Sequence, residues 1–210
     1  MGQLVAIDTL LSDRRIWRGQ PATALPAPKQ PTGHAALDAV LPWGGWPEAS
    51  LTELLLPADG IGELRLLLPT LARLTRAGHD IAIVAPPYLP YPDGWRQAGV
   101  DFRHVHLVDA SPRDALWASE QCLRAGCLSA VLGWPLRADD RALRRLQVAA
   151  DSGGVMGFVF RDARAEHNPS PAALRIAIDG KPARLRVIKC RGAVAPTRSI
   201  PFPIATPAAA

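Results

Sequence analysis

Short apolar runs alternate with amphipathic segments through the middle of the chain, and this alternation is the feature that most constrains its fold. Five runs have the length of β-strands and are apolar at successive positions, as strands buried on both faces are. They are Leu51–Leu56, Ile81–Ala85, His104–Val108, Ala130–Gly133 and Val155–Phe160. Helix-period patterns separate them, at Glu63–Ala77, Asp93–Ala98, Arg113–Ala125 and Asp139–Asp151. Such alternation predicts an α/β fold with a mostly parallel sheet flanked by helices.

The C-terminal part of the chain departs from this alternation. Two strand-like segments, Leu174–Asp179 and Arg184–Lys189, flank the dipeptide Asp179-Gly180, which favours tight hairpin turns. We therefore expect a C-terminal β-hairpin that extends one edge of the sheet. Single glycines follow three of the predicted helices, where a left-handed cap is favoured: Gly78, Gly99 and Gly126.

The distribution of prolines indicates how the chain divides into a core domain and flanking segments. Of its 210 residues 48% are apolar and 20% charged, which suits one globular domain with flanking segments. The 21 prolines concentrate towards the two ends of the core. We predict an N-terminal helix at residues 1–18, a Pro-rich linker at 19–33, a core domain at 34–192 and a Pro-rich basic tail at 193–210.

Targeting signals and cysteine usage predict a cytoplasmic protein without membrane association. No apolar run approaches the roughly 18 residues of a membrane span, and charged residues interrupt the N-terminal segment. The three cysteines form no C-x-x-C pair, and an odd number makes a poor disulfide framework. A reducing compartment fits this usage best.

Residues 51–68 are built like a phosphate-binding loop: a strand, a glycine-bearing turn and then a helix. In such loops a lysine follows the last glycine and neutralises phosphate charge, and the next residue is a Ser or Thr that holds magnesium. Here a carboxylate and a leucine take those places. The carboxylate cannot neutralise phosphate charge, and the leucine cannot bind magnesium. We therefore expect no nucleotide cofactor. The degenerate loop consists of Pro57, Asp59, Gly60, Gly62, Glu63 and Leu64.

Two interpretations of the loop glycines remain. Gly60 and Gly62 could let backbone N–H groups form an anion-binding nest at a helix N-terminus, as in a residual nucleotide binder. Alternatively they only make a tight turn, and Glu63 stabilises the first helical turn through the helix dipole. The second interpretation is favoured, because a carboxylate beside the nest repels phosphate.

Several short segments follow one another along the chain in a characteristic order. They include Gly44–Pro47, Gly60–Leu66, Ala85–Pro87, Asp114–Glu120, Asp140–Leu146 and Ser170–Arg175. These segments resemble, in the same order, the ImuA group of RecA-like proteins, which are relatives of the SulA division inhibitors. The resemblance implies a RecA-like core over residues 32–192. It also implies a non-catalytic accessory role in SOS-induced, error-prone translesion DNA synthesis with ImuB and a C-family error-prone polymerase, with RecA and DNA as further partners.

The departures from RecA all concern catalysis. Besides the loop lysine and hydroxyl, the carboxylate that RecA places after its second strand falls near Pro87. The metal-organising aspartate at the end of the fourth strand falls on Gly133 or Trp134. Three losses of charge and positioning predict that the chain is not an enzyme. The alternative role is a SulA-like inhibitor of cell division that caps a polymerising protein, FtsZ.

Basic residues and one tryptophan are the candidates for DNA or partner contact. Arginines cluster on the predicted helix at 139–151, where phosphate contact and a solvated helix face are equally good explanations. After Asp179 the chain has basic residues and no acidic ones in the rest of its length, which favours a phosphate or acidic-peptide surface over a protected sheet edge. The candidates are Trp17, Arg137, Arg141, Arg144, Arg145, Arg184, Arg186, Lys189 and Arg191.

The other tryptophans and two histidines are candidates for partner contact, core packing or metal binding. Trp43 and Trp46, like Trp17, are candidates for gripping a partner, whereas core positions are expected for Trp95, Trp117 and Trp134. His104 and His106 share one strand face, but no third metal ligand has a suitable spacing. The mixed-charge segment 161–170 is expected to be a connecting loop.

Overall fold

The computed structural model describes residues 30–135, 138–179 and 184–202. The predicted N-terminal helix at 1–18, with Trp17, lies outside the described residues. So do Arg137, most of the Pro-rich linker, the hairpin turn at 180–183 and the end of the tail.

Within the described residues, seven of the eight strands and four of the five α-helices correspond in order to elements predicted from the sequence, with shifts at their ends. The sequence pattern predicts neither the helix Ala35–Asp38 nor the strand Ile200–Pro201. The strands are β1 Leu51–Leu56, β2 Ile81–Val84, β3 Val105–Val108, β4 Ala130–Gly133, β5 Met156–Asp162, β6 Leu174–Asp179, β7 Arg184–Cys190 and β8 Ile200–Pro201. The α-helices are α1 Ala35–Asp38, α2 Leu68–Arg76, α3 Pro92–Gln97, α4 Ala115–Arg124 and α5 Asp140–Gly153. Short 3₁₀ helices form at Glu63–Leu66, Phe102–His104 and Ala163–His167.

All eight strands join one sheet in the order β3-β2-β4-β5-β1-β6-β7-β8. Strands β1 to β6 run parallel to one another, whereas β7 pairs antiparallel with both β6 and β8. The predicted α/β class with a mostly parallel sheet is confirmed. Strands β6 and β7 pair as the predicted hairpin requires, although the turn that would join them lies outside the described residues.

Helices cover both faces of the sheet, which explains why the central strands are apolar at successive positions. On one face α1, α2 and α3 pack over a large core that includes Leu54, Ile83 and Phe158. On the other face α4 and α5 pack over Val84 and Val131. Each fully buried aliphatic side chain in these layers contributes about 1.5–3 kcal/mol to folding.

The predicted single helix Glu63–Ala77 is wrong, because the structure divides it. A 3₁₀ helix ends at Leu66, and α2 begins at Leu68 with Pro69 in its first turn. Proline has no backbone N–H to donate to a preceding turn, so a new helix begins there. The three predicted glycine caps are confirmed, with positive φ angles at Gly78, Gly99 and Gly126.

A β-bulge sets which side chains of β7 face the core. The β6–β7 register shifts between Arg175 and Ile176, so that one extra β7 residue stands opposite the break. The bulge returns Cys190 to the core face after Leu185 and Val187, which alternation alone would not do. It also places Lys189 opposite Arg175, on the other face.

Residues from the predicted Pro-rich tail add to this end of the sheet. Ile200 and Pro201 pair with β7, and the side chains of Ile200 and Phe202 are buried in the larger core. The division of the chain into segments stays a prediction. None of the helices in the described ranges is long and apolar enough to cross a membrane.

Candidate functional site

The candidate site is the edge of the sheet where the parallel strands end. The chain leaves β2 over the face covered by α3, and it leaves β4 over the face covered by α4 and α5. Because β2 and β4 are neighbours, their loops diverge and leave a crevice, the usual place for ligands in such sheets. Two cavities of about 390 and 410 Å³ open here.

The loop after β1 closes on itself through Glu63. Gly60 and Gly62 adopt left-handed conformations, with φ of 77° and 93°, and turn the chain into the 3₁₀ helix that begins at Glu63. The Gly60 backbone N–H donates a hydrogen bond of 3.3 Å to Oε1 of Glu63, whose side chain is buried. The Glu63 carboxylate thus occupies a backbone N–H that would donate to a phosphate in a phosphate-binding loop. Pro57 and Asp59 are exposed, and Leu64 packs against the core.

The second carboxylate oxygen of Glu63 is buried and has no hydrogen-bond partner among the described residues. A negative group at this position repels a phosphate approaching the same turn. The geometry therefore favours the structural interpretation of the loop, in which Glu63 starts a helix and shapes the turn.

The two other positions at which the resemblance to RecA-like proteins implies a lost carboxylate lie after β2 and at the end of β4. After β2 the chain turns at Ala85, whose φ of 47° is unusual for a residue other than glycine, and continues into Pro86 and Pro87. At the end of β4 a Cβ atom on Gly133 would lie 2.7 Å from Oγ of Ser119, so a side chain there would require Ser119 to move.

Trp134 occupies the space between the two cavities. Its ring stacks on Phe160, with centroids 4.3 Å apart and planes 11° apart, and it lines both cavities. The side chain is buried, and its indole N–H has no acceptor among the described residues. The predicted core position is confirmed, but the unsatisfied donor could not be read from the sequence.

Sequence reasoning missed a buried ion-pair network at the centre of the sheet. Glu53, on β1, is fully buried and accepts hydrogen bonds from Arg161 on β5 and, at 2.5 Å, from Arg175 on β6. Arg161 also donates to the Ala138 carbonyl at 2.7 Å. Arg175 also donates to the Ala165 carbonyl at 3.0 Å. The signal was present, since Glu53 is the one charged residue in the run Leu51–Leu56.

The predicted arginine cluster on α5 is largely committed to contacts within the protein. Arg144 pairs with Asp140 one turn earlier, at 2.9 Å. Arg145 pairs with Glu120, a buried carboxylate on α4, and so joins the two helices. Arg141 is exposed and has no hydrogen-bond or ion-pair partner among the described residues.

The basic residues of β7 also have hydrogen-bond partners. Carboxylates from other segments of the chain accept hydrogen bonds from Arg186, although β7 itself contains no acidic residue. Arg186 donates to both carboxylate oxygens of Glu166, at 2.6 and 2.8 Å, and to Asp179 at 2.8 Å. These contacts hold the pKa of Glu166 below its ordinary value and raise that of Arg186.

The remaining basic residues of this part bind polar atoms of neighbouring segments. Arg184 donates to the hydroxyl and the carbonyl of Ser199, at 2.7 and 2.8 Å. Lys189 donates to the Ser170 carbonyl at 2.7 Å, and Arg191 to the Pro171 carbonyl at 3.4 Å. Burial lowers the pKa of Lys189. A role of these residues in binding DNA or a partner stays a prediction.

Two aromatic expectations are wrong. Trp46 does not face a partner: it is buried, donates from Nε1 to the Thr70 hydroxyl at 2.8 Å and packs edge-on against Phe158. Trp117, expected in the core, is 61% exposed on α4. Trp43 is only partly buried, against the larger core.

His104 and His106 meet the same carboxylate rather than a metal. Nδ1 of His104 lies 2.9 Å, and Nε2 of His106 3.3 Å, from Oδ1 of Asp80. These contacts lower the pKa of Asp80. Within the described residues no group of His, Cys, Asp and Glu side chains is arranged to hold a metal ion.

Comparison with known proteins finds a partial similarity to SulA proteins. No family model matches the chain. Over 101 residues it is 30% identical to the cell division inhibitor SulA of Serratia marcescens, a match that covers 48% of this chain and 60% of that protein's length. The crystal structure of SulA from Pseudomonas aeruginosa is 28% identical, with a TM-score of 0.44, and the match covers 55% of this chain and 98% of that one.

Proposed function

We propose that this chain is a non-catalytic protein of the bacterial SOS response that acts by binding other proteins. The observation that carries the proposal is the hydrogen bond from the Gly60 N–H to Glu63, in a loop that has the order of a phosphate-binding loop. Gly133 and the Pro86-Pro87 turn support it, because neither offers a carboxylate for catalysis. A RecA-like core that keeps its loop architecture without its chemistry is part of this proposal.

The first candidate role is inhibition of cell division. It is supported by the sequence similarity to SulA, a cell division inhibitor by name. Since that match covers 60% of the relative's length, the role comes to this chain as a proposal only. The partner would be FtsZ, the polymerising protein that the resemblance to SulA-type inhibitors implies.

FtsZ polymerisation provides the direct test of this role. We expect the purified full chain to lower the amount of FtsZ that sediments with GTP, and overexpression to produce filamentous cells. The control is the full chain unfolded by heat and added at equal concentration. Unchanged sedimentation together with normal cell length would reject the division-inhibitor role.

The second candidate role is that of an adaptor in error-prone translesion synthesis with ImuB and a C-family polymerase. It is supported by the ordered segments that resemble the ImuA group. Co-purification with ImuB, and loss of damage-induced mutagenesis when the gene is deleted, would support this role. Binding to FtsZ without ImuB would contradict it.

The absence of catalysis is tested separately from either partner. We expect no ATP hydrolysis above that of a buffer control, with or without single-stranded DNA. Turnover that co-purifies with the chain and depends on residues of the loop after β1 would overturn the proposal.

A further inference from the structure

The cavity of about 390 Å³ at the carboxyl ends of β2 and β3 has no assigned role. Leu89, from the segment after β2, and Leu107, from β3, form its apolar walls together with Pro112. It opens at an edge of the sheet, because β3 is the first strand in the strand order. The cavity is therefore accessible to a partner from outside the molecule.

Large apolar side chains are exposed at its rim. Leu89 is 77% exposed, Tyr88 is 68% exposed and Leu107 is 49% exposed. Tyr88 lies against the turn at Gly60, so the rim extends to the closed loop. Exposed apolar side chains grouped around a cavity mark an interaction surface, since covering them releases ordered water.

The charge of the cavity is acidic. Asp59 and Asp109 both line it, and neither has an ion-pair partner among the described residues. Two unpaired carboxylates beside an apolar wall attract a cation that also carries apolar surface. They repel the phosphates of a nucleotide, so the cavity is not suited to one.

Trp134 gives the cavity an aromatic wall. Its ring lines the cavity and stacks on Phe160, with centroids 4.3 Å apart. A ligand that enters the cavity therefore changes the surroundings of the indole.

We propose that this cavity binds a segment of a partner protein in which a large apolar side chain adjoins a lysine or arginine. The apolar side chain packs between Leu89 and Leu107, and the basic group meets Asp59 and Asp109. The inference deepens the proposed function, on which it depends for a protein partner, but it does not depend on which protein that is.

A peptide-display library, selected on the full chain without FtsZ or ImuB, tests the inference. We expect the selected peptides to pair a large apolar residue with Lys or Arg. In an indole ¹⁵N–¹H spectrum, the Trp134 signal, assigned from a Trp134→Phe variant, should shift when a selected peptide is added. Enrichment of acidic peptides, or a Trp134 signal that stays unchanged, would overturn the inference.

Matched variants separate this surface from the rest of the protein. The double change Asp59→Asn and Asp109→Asn should weaken binding of a selected peptide about tenfold or more, because it removes both charge-assisted contacts. Leu89→Ser should also weaken it. The control, Asp151→Asn, removes an exposed carboxylate that lines a different cavity and should leave the peptide Kd unchanged.

Two further outcomes would contradict the inference while leaving the proposed function intact. One is a dimer of this chain that Leu89→Ser dissociates, since a second copy would then cover the rim. The other is binding of FtsZ or ImuB by the full chain at the same affinity in wild type, the double Asp→Asn variant and Leu89→Ser.

Discussion

Oε1 of Glu63 accepts a hydrogen bond from the backbone N–H of Gly60 at 3.3 Å, and so a side chain closes the turn where a phosphate-binding loop would hold its ligand. The contact lies within four residues of sequence, in a turn held by two left-handed glycines. A lysine in place of Glu63 would restore the lysine position of a phosphate-binding loop. It would not restore the hydroxyl expected at Leu64 or the carboxylates expected near Pro87 and Gly133.

Glu63→Lys is therefore expected to destabilise the protein without creating an ATPase. The ammonium group enters a buried position and the hydrogen bond to Gly60 is lost, which should lower the free energy of unfolding by about 1–3 kcal/mol. Urea denaturation and a phosphate-release assay measure the two effects. Asp59→Lys makes the same charge change at an exposed position of the loop and should leave the stability unchanged. ATP turnover in the Glu63→Lys variant would show that the loop still supports catalysis.

Glu53 should be among the residues most sensitive to substitution. Among the described residues, it is the carboxylate that pairs with the buried guanidinium groups of both Arg161 and Arg175, and removing it takes away the ion pair of each. Glu53→Ala is expected to lower the free energy of unfolding by about 3–5 kcal/mol, measured by chemical denaturation. The exposed pair Asp162–Arg164 is the control, and Asp162→Ala should have no comparable effect. Equal stability of both variants would mean that water or another group compensates the buried arginines.

The contact between Glu166 and Arg186 should make stability depend on pH on the acidic side. Arg186 lowers the folded-state pKa of Glu166 below its ordinary value of 4.5, so the contact stabilises the protein above about that pH. Its contribution is lost as the pH falls through the folded-state pKa and the carboxylate becomes protonated. Urea midpoints at about pH 7 and about pH 3 should therefore differ less in Glu166→Gln than in the wild type. An equal difference in both proteins would assign the acid sensitivity to other groups.

Two exposed turns of the same design should titrate at unusually low pH. Asp101 accepts from the backbone and the guanidinium of Arg103, and Asp162 does the same with Arg164. These contacts lower the pKa of each carboxyl to about 2. Carboxyl ¹³C shifts followed during acid titration should show both values, and Arg103→Ala should return Asp101 alone towards its ordinary value of 3.8. A normal midpoint for Asp101 in the wild type would mean that the turn opens in solution.

If phosphate contacts are made on α5, Arg141 should make them. Arg145 is paired with Glu120, whereas Arg141 is exposed and without a partner among the described residues. Arg141→Gln should therefore reduce by about one the slope of log K against log salt for duplex DNA, and Arg145→Gln should change it less. Fluorescence anisotropy at several salt concentrations measures the slopes. Binding that does not depend on salt, or no binding, would remove DNA as a direct partner.

The sequence by itself determined the class of the fold and the course of most elements. Continuous apolar runs identify strands buried on both faces, and glycines after helices mark their ends, because both signals depend on neighbouring residues only. The same local logic predicts that Glu63 and Leu64 replace the lysine and hydroxyl of a phosphate loop, and this stays a prediction. The local logic failed at Pro69, where a periodic apolar pattern concealed the start of a second helix.

Only the tertiary structure decided which charges are free. The sequence shows basic residues after Asp179 and no acid to balance them, yet Glu166 reaches Arg186 from a different segment. Glu53 meets Arg175 across 122 positions of sequence, and the buried indole N–H of Trp134 has no acceptor among the described residues. The physical reason is that hydrogen bonding and burial depend on distance in space, which strand order and helix packing fix and local sequence does not.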